Sequence, residues 1–286
     1  MPRCADAACG RWRPEILAPR WVAGIRFNGR WYCSRACVEH AAREGLDAPA
    51  IPAAPATALP QLKLGVLLRH LGAITEADLT SALESQRESG LHLGAELRRR
   101  DLVAPDAILR SLAAQGGISY FTTFDVGRVM RGPAWLPAET VRALGLVPFE
   151  VDDAQKKLRV VCGAPVPRTA MRALLKLTDW TAEPYLVDDD VLQDAIRAYR
   201  PVHATEQFGE AITVAGVAAA ASRVADTAVA GRAVTMRSAN CDRYTWVRLE
   251  GPAHVSDLLV SRAHDRGPRV ATEVGPKERV NARRIV

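Results

Sequence analysis

The chain has 286 residues, 48% of them hydrophobic and 24% charged, with a formal net charge of +6. That balance excludes a wholly disordered chain and a membrane-embedded one, and the length suits two or three small domains. The longest weakly polar stretch, Ala211 to Ser222, is too short to cross a bilayer and runs into Arg223 and Asp226, so no membrane span is expected. The amino terminus lacks an apolar run with a small-residue cleavage site and carries Cys4 and Cys9 among arginines, which predicts a protein of the reducing cytoplasm. Positive charge gathers at Arg11 to Arg35, at Arg98-Arg99-Arg100 and from Arg262 to Arg284, favouring an anionic partner without choosing among nucleic acid, nucleotide and acidic protein.

Cys4 and Cys9 form one pair and Cys33 and Cys37 another, separated by a predicted hairpin around Phe27-Asn28-Gly29-Arg30. Four thiolates suit zinc. The second pair opens a predicted helix, CSRACVEHAAREG, and the arrangement resembles treble-clef zinc domains, in which a knuckle and a helix start supply two ligands each. Cys-x4-Cys is wider than the common Cys-x2-Cys, and His40, near Cys37 on the same face, is an alternative ligand. Four thiols could instead pack with Trp12, Trp21 and Trp31, but about 40 residues seldom build a sufficient core without a metal or a disulfide. We therefore expect a structural zinc on Cys4, Cys9, Cys33 and Cys37 within a module spanning 1–44; four thiolates leave no open position for catalysis.

From Glu44 to Pro60 the sequence reads EGLDAPAIPAAPATALP, an Ala/Pro stretch whose prolines deny it helical hydrogen bonds, and 45–61 is expected to be a linker. Sliding the chain against itself then reveals two 24-residue units, KLGVLLRHLGAITEADLTSALESQ from Lys63 and HLGAELRRRDLVAPDAILRSLAAQ from His92. Leu64-Gly65 aligns with Leu93-Gly94, Leu68 with Leu97, Leu83 with Leu112 and Gln86 with Gln115. Each unit predicts a short helix, a tight turn and a longer helix. Thr75-Glu76-Ala77-Asp78 looks like a capping-box variant, Gly72 supplies a turn, and Pro105 sits where a helix start needs no N–H.

Beyond Gly116 the pattern changes. Apolar runs at 147–151, 158–162 and 183–187 alternate with helices at 168–176 and 188–199, predicting a small α/β sandwich over 116–200. Residues 201–264 predict an Ala-rich helix and a hairpin built from 233–237 and 244–251, and 265–286 a basic flexible tail. Cys162 and Cys241 fall in predicted strands as inert buried thiols. Asp188-Asp189-Asp190 reads as a helix cap opposing the helix dipole rather than a metal site, and the scattered histidines His70, His203, His254 and His264 show no base or nucleophile pattern. The fold class is thus α+β multidomain, with a small zinc module, a tandem helical repeat (62–115) packed with a small α/β domain, and a C-terminal helix and hairpin region.

The paired KLGxxLxxxGxIxxxxLxxxLxxQ units resemble the N-terminal domain of type II secretion and type IV pilus assembly ATPases, the MshE-type module (GspE N-terminal domain-like). Leu136-Pro137, Val147-Pro148 and an Ala-Ile-x-x-Tyr ending at Tyr199 extend the resemblance over 62–200. It implies binding of cyclic di-GMP, each unit taking half of the ligand, and docking to or regulation of a secretion or pilus assembly protein. Carried over by position, the binding residues are Lys63, Leu64, Gly65, Leu68, Leu83 and Gln86 in the first unit, and His92, Leu93, Gly94, Leu97, Leu112 and Gln115 in the second. The glycines would permit close backbone approach, the leucines give apolar walls and the glutamines amide hydrogen bonds. Lys63 and His92 stand where the family has arginine, losing the planar fork, and Asp101 replaces the glycine found at Gly72. No GxxxxGK[ST] loop occurs in the sequence, so no ATPase is expected. The expectation is a non-enzymatic, cyclic-di-GMP-responsive adaptor. A protein-interaction scaffold without nucleotide binding is the alternative, and a nucleic-acid-binding zinc protein ranks last.

Overall fold

The computed structural model describes residues 3–11, 24–47, 62–130, 136–199, 212–231, 233–241, 244–252 and 255–261. Asn28 and Gly29 both take left-handed backbone, φ 50° and 73°, the geometry of a two-residue hairpin turn. They fold β1 (Ile25–Phe27) back on β2 (Arg30–Tyr32), and α1 (Arg35–Asp47) follows, running three residues into the segment expected to open the linker. The rest of the linker, Trp12, Trp21 and the tail from 265 lie outside the described residues.

The repeat forms as its spacing predicts: α2 (Leu64–His70), α3 (Glu76–Ser89), α4 (Leu93–Arg99) and α5 (Pro105–Gly116). Thr75 caps α3 with a reciprocal box, its hydroxyl accepting from Asp78 N–H while the Asp78 carboxylate accepts from Thr75 N–H. Pro105 opens α5. Gly72 turns at φ +69°, and Asp101, at φ +53°, holds the equivalent left-handed place in the second unit. Aspartate is among the side chains that tolerate this region, so the turn survives the exchange.

Residues 119–198 supply β3 (Ser119–Tyr120), α6 (Gly127–Met130), α7 (Ala138–Leu144), β4 (Val147–Asp152), β5 (Lys157–Cys162), α8 (Arg168–Thr178), β6 (Thr181–Leu186) and α9 (Asp189–Ala198). The four strands order as β3-β6-β5-β4, with β4 antiparallel to β5 and the β5–β6 and β6–β3 pairs parallel. Tyr199 is buried and donates its hydroxyl to Leu136 O at 2.7 Å, fixing the chain before α7. β3 and the short α6 carry little periodic signal, and no local pattern predicts them.

The C-terminal region contributes β7 (Ile212–Ala215), α10 (Val217–Gly231), β8 (Ala233–Cys241), β9 (Tyr244–Glu250) and β10 (Val255–Ser261). The expected hairpin is β8–β9, and β7 and β10 extend it. Its far edge crosses the expected boundary between segments. β1 adds in parallel to β8, with Phe27 opposite Val234, so one sheet runs β2-β1-β8-β9-β10-β7 and joins the cysteine module to the C-terminal region. Asn28 fastens the seam: its side-chain oxygen accepts from Met236 N–H at 2.7 Å and its own N–H donates to Val234 O. The physical reason is size. Two three-residue strands and one helix cannot bury their own apolar faces.

This sheet is covered on both sides. Val247, Leu249, Leu258 and Val260 pack with Val38 and Ala42 of α1 and the alanines of α10, whose small side chains let the two helices approach. Arg35 ties these helices by pairing with Asp226 and donating to Ser222 Oγ. On the opposite face Trp246, Leu259, Ala239 and Cys241 share a core with Leu174 and Leu177 of α8. Cys162 and Cys241 are both buried in strands as expected. Arg248 and Asp257, cross-strand partners, are buried together at 3.8 Å, and burial pushes the Asp257 carboxyl up.

Candidate functional site

The two units enter their short helices alike. Lys63 and His92 occupy the N-cap positions of α2 and α4 with nearly the same backbone (φ −64°, ψ 142° and φ −68°, ψ 148°). The next two residues interlock reciprocally. A Cβ on Gly65 would lie 3.2 Å from Leu93 Cδ2, and one on Gly94 would lie 3.5 Å from Leu64 Cδ2. Each glycine therefore admits the leucine of the other unit, and this brings the paired motifs to one place.

That place is a cavity of about 770 Å³, within the range of about 300–1,000 Å³ usual for ligand sites. Lys63, Leu64, Gly65, Leu83 and Gln86 line it from the first unit, and His92, Leu93, Gly94, Leu112 and Gln115 from the second. Leu83, 40% exposed, offers an apolar face to the solvent side. The Gln115 amide donates to Leu62 O at 2.7 Å, while the Gln86 side chain is half-buried at the wall. Leu68 and Leu97, expected as walls, are not among the cavity residues: both are fully buried at the centre of the repeat with Ile74, Ala82, Val103 and Ile108. They sit on the inner stripe of α2 and α4, where a two-helix unit needs its core residue. Asp101 is not among the cavity residues either; it serves the turn.

The other wall comes from the α/β part. Ala164, Pro165, Leu186, Val187, Asp188 and Asp189 face the repeat across the cavity, joined by Arg98 and Arg99 from α4. Arg98 Nη1 lies 2.8 Å from Asp188 Oδ1, an ion pair between the two halves. Arg99 instead holds Glu96, a fully buried carboxylate that this guanidinium keeps below the usual carboxylate range despite burial. Sequence reasoning places Arg98 only in a basic cluster and Asp188 only at a helix start. The capping reading holds, since Asp188 accepts from Asp189 N–H, but no local pattern signals its place beside the repeat. With apolar walls, two amides, several cations and two carboxylates, the lining suits flat rings carrying anionic groups.

The second site lies at the cysteines. Cys4, Cys9, Cys33 and Cys37 bring their sulfurs within 4.8 Å of one another. Cys9 Sγ is 3.5 Å from Cys33 Sγ, and Cys33 Sγ is 3.7 Å from Cys37 Sγ. Four sulfurs placed tetrahedrally about 2.3 Å from a zinc ion would be about 3.8 Å apart, so the set fits such an ion. The wide first pair is accommodated by a turn in which Cys9 N–H donates to Asp6 O and Cys4 N–H to Arg11 O. Cys33 N–H points to Cys4 Sγ and Ser34 Oγ–H to Cys37 Sγ, contacts that favour thiolate. Burial pushes the Cys33 and Cys37 thiols up, so these sulfurs ionise only when a cation is bound between them. His40 is outside the sulfur cluster and pairs with Asp6 at 3.1 Å.

No family model matches the chain. The type IV pilus assembly ATPase PilB of Thermus thermophilus is 27% identical over 139 residues, 49% of this chain. The chain spans about a sixth of the length of that curated relative, the match covering 16% of it. A structure of MshE with cdg aligns over 49% of this chain and 99% of its own, at 27% identity and a TM-score of 0.42. The N-terminal domain of XpsE aligns over 49% and 99%, at 18% identity and a TM-score of 0.35. About half of this chain is thus similar in sequence to a small part of a pilus assembly ATPase, the class to which the paired motif points. Its named sequence relative is PilB, a pilus assembly ATPase, and the similarity is to a small part of that protein.

Proposed function

We propose that this chain is a non-enzymatic regulatory module that binds cyclic di-GMP between its two repeat units and acts as an adaptor of type II secretion or type IV pilus machinery in the cytoplasm. One observation carries the reading: ten motif residues, five from each unit, converge on one cavity. A ligand with two guanines and two phosphates matches a lining in which each unit offers an apolar wall, an amide and a basic residue at the N-cap. Lys63 and His92 give weaker stacking than arginine would, and Arg98 and Arg99 add positive charge at the same cavity.

The sequence contains no GxxxxGK[ST] loop to hold nucleotide phosphates for hydrolysis. The adaptor would act by binding the dinucleotide and presenting a changed surface to a secretion or pilus assembly protein. Zinc on Cys4, Cys9, Cys33 and Cys37 would be structural, since four thiolates complete its shell.

Isothermal titration of metal-loaded protein with cyclic di-GMP tests the reading, with GTP and cyclic di-AMP as controls and Gln86→Ala plus Gln115→Ala as the paired variant. Saturable binding lost in the variant supports a second-messenger receptor. No heat at high ligand concentration overturns it and leaves a docking scaffold, to which the exposed Leu62, Val66 and Leu71 on the repeat would belong.

A further inference from the structure

We infer that Asp188 selects guanine, and that the Arg98–Asp188 ion pair is the ligand-free resting state of a reader that exchanges partners when the dinucleotide enters. The inference rests on the proposed cyclic di-GMP site and deepens it. Neither residue belongs to the positions carried over from the repeat resemblance.

Three observations bear on it. Asp188 and Asp189 are the acids on a lining otherwise supplied with cations, and they sit opposite the repeat, where an anionic ligand alone would have no use for them. The Asp188 side chain is 23% exposed and remains reachable from the cavity. Its Oδ1 takes both present contacts, the Arg98 guanidinium at 2.8 Å and the Asp189 N–H at 2.6 Å, while a carboxylate has about four lone-pair sites. Arg98 in turn has a buried Nε with no hydrogen-bond partner among the described residues, so its guanidinium is only partly satisfied by Asp188.

Guanine presents two adjacent donors, N1–H and the N2 amino group, which a carboxylate can accept as parallel charge-assisted bonds. Adenine presents a lone pair at N1 and would meet the carboxylate with repulsion. A guanine seated against Asp188 supplies the positive edge that Arg98 now provides, and the ligand phosphate supplies Arg98 with an anion. Both partners gain a contact, and the bridge between α4 and the start of α9 passes through the ligand.

The test uses full-length, metal-loaded protein titrated with cyclic di-GMP and cyclic di-AMP. Asp188→Asn is the informative variant because asparagine caps a helix as well as aspartate does and keeps the N-terminus of α9 intact. A charged hydrogen bond contributes about 1.5–3 kcal/mol, so cyclic di-GMP affinity is expected to fall about 10- to 100-fold while cyclic di-AMP affinity holds or rises. Arg98→Ala is expected to weaken both ligands and to flatten the salt dependence without altering their ratio. An unchanged ratio in Asp188→Asn, including equal loss of both ligands, or a wild-type protein that binds both equally, would overturn the inference and leave the receptor reading standing. Failure of the wild-type protein to bind either ligand would remove both.

Discussion

Removing the metal proposed for Cys4, Cys9, Cys33 and Cys37 is expected to unfold strands near the far end of the chain, on the other side of the repeat and the α/β part. The sheet pairing makes this a quantitative statement. Without its metal the hairpin and α1 lose their anchor, and the shared core loses Phe27 and Val38, which are 1% and 0% exposed. Stripping a buried Phe and a buried Val from a core costs roughly 5–8 kcal/mol, the size of the whole stability of a small domain. The assay is hydrogen exchange of the full chain read by mass spectrometry, with and without a chelator under reducing conditions. Amides of β8, β9 and β10 should lose protection together with those of β1 and β2, while β4, β5 and β6 stay protected. Retained protection of β9 and β10 after the metal has gone would refute the reasoning, since the C-terminal region would then fold by itself.

Four further outcomes follow from the same structure. Leu68→Ala and Leu97→Ala should each cost about 2–5 kcal/mol in denaturant melts, whereas Leu83→Ala, at an exposed cavity wall, should cost far less and act on ligand affinity. Gly65→Ala places a methyl 2.6 Å from Leu79 Cδ1, so a loss of about 1–3 kcal/mol is expected, checked by thermal melting alongside Gly94→Ala, which has more room. Thr75→Ala should cost about 1 kcal/mol through loss of the α3 capping box, read as a lowered melting temperature. The fourth concerns pH. Burial holds Asp257 above the ordinary carboxylate range, so its favourable contribution is present below about pH 4 and is lost as pH rises through the raised value. Replacing Arg248 and Asp257 together by Met and Leu should therefore raise stability at neutral pH relative to the natural pair, with the gain shrinking in acid; a gain independent of pH would contradict this.

What the sequence disclosed, it disclosed through local pattern. The repeat is readable because its leucines, glycines and caps recur at a fixed offset, and the β4, β5 and β6 runs because apolar residues cluster between turns. The cysteines are legible from chemistry alone. Three things are not. The Phe27–Val234 pairing joins a three-residue strand to one far along the chain and leaves no periodic trace, so the cysteine module and the C-terminal region read as separate. Leu68 and Leu97 match the binding motif letter for letter, and only packing distinguishes a core leucine from a wall leucine. Arg98 and Asp188 lie far apart in the chain, and each has an adequate local explanation that conceals the other.

The parallel seam between β1 and β8 also dictates an order of events as the chain is made. Residues 62–199 contain their own repeat core and strand pairs and can begin to fold as soon as they are synthesised, leaving the Leu174–Leu177 face of α8 to be covered later by the C-terminal sheet. The cysteines can take up metal earlier still, but the open edge of β1 and the apolar face of α1 then wait for β8 and α10. During that interval the nascent protein carries an uncovered strand edge, a known template for unwanted pairing. Long-range closure of this kind is slow. The last step of folding is therefore expected to be the return of the C-terminal region to the N-terminal hairpin, and conditions that delay it should favour aggregation over the native chain.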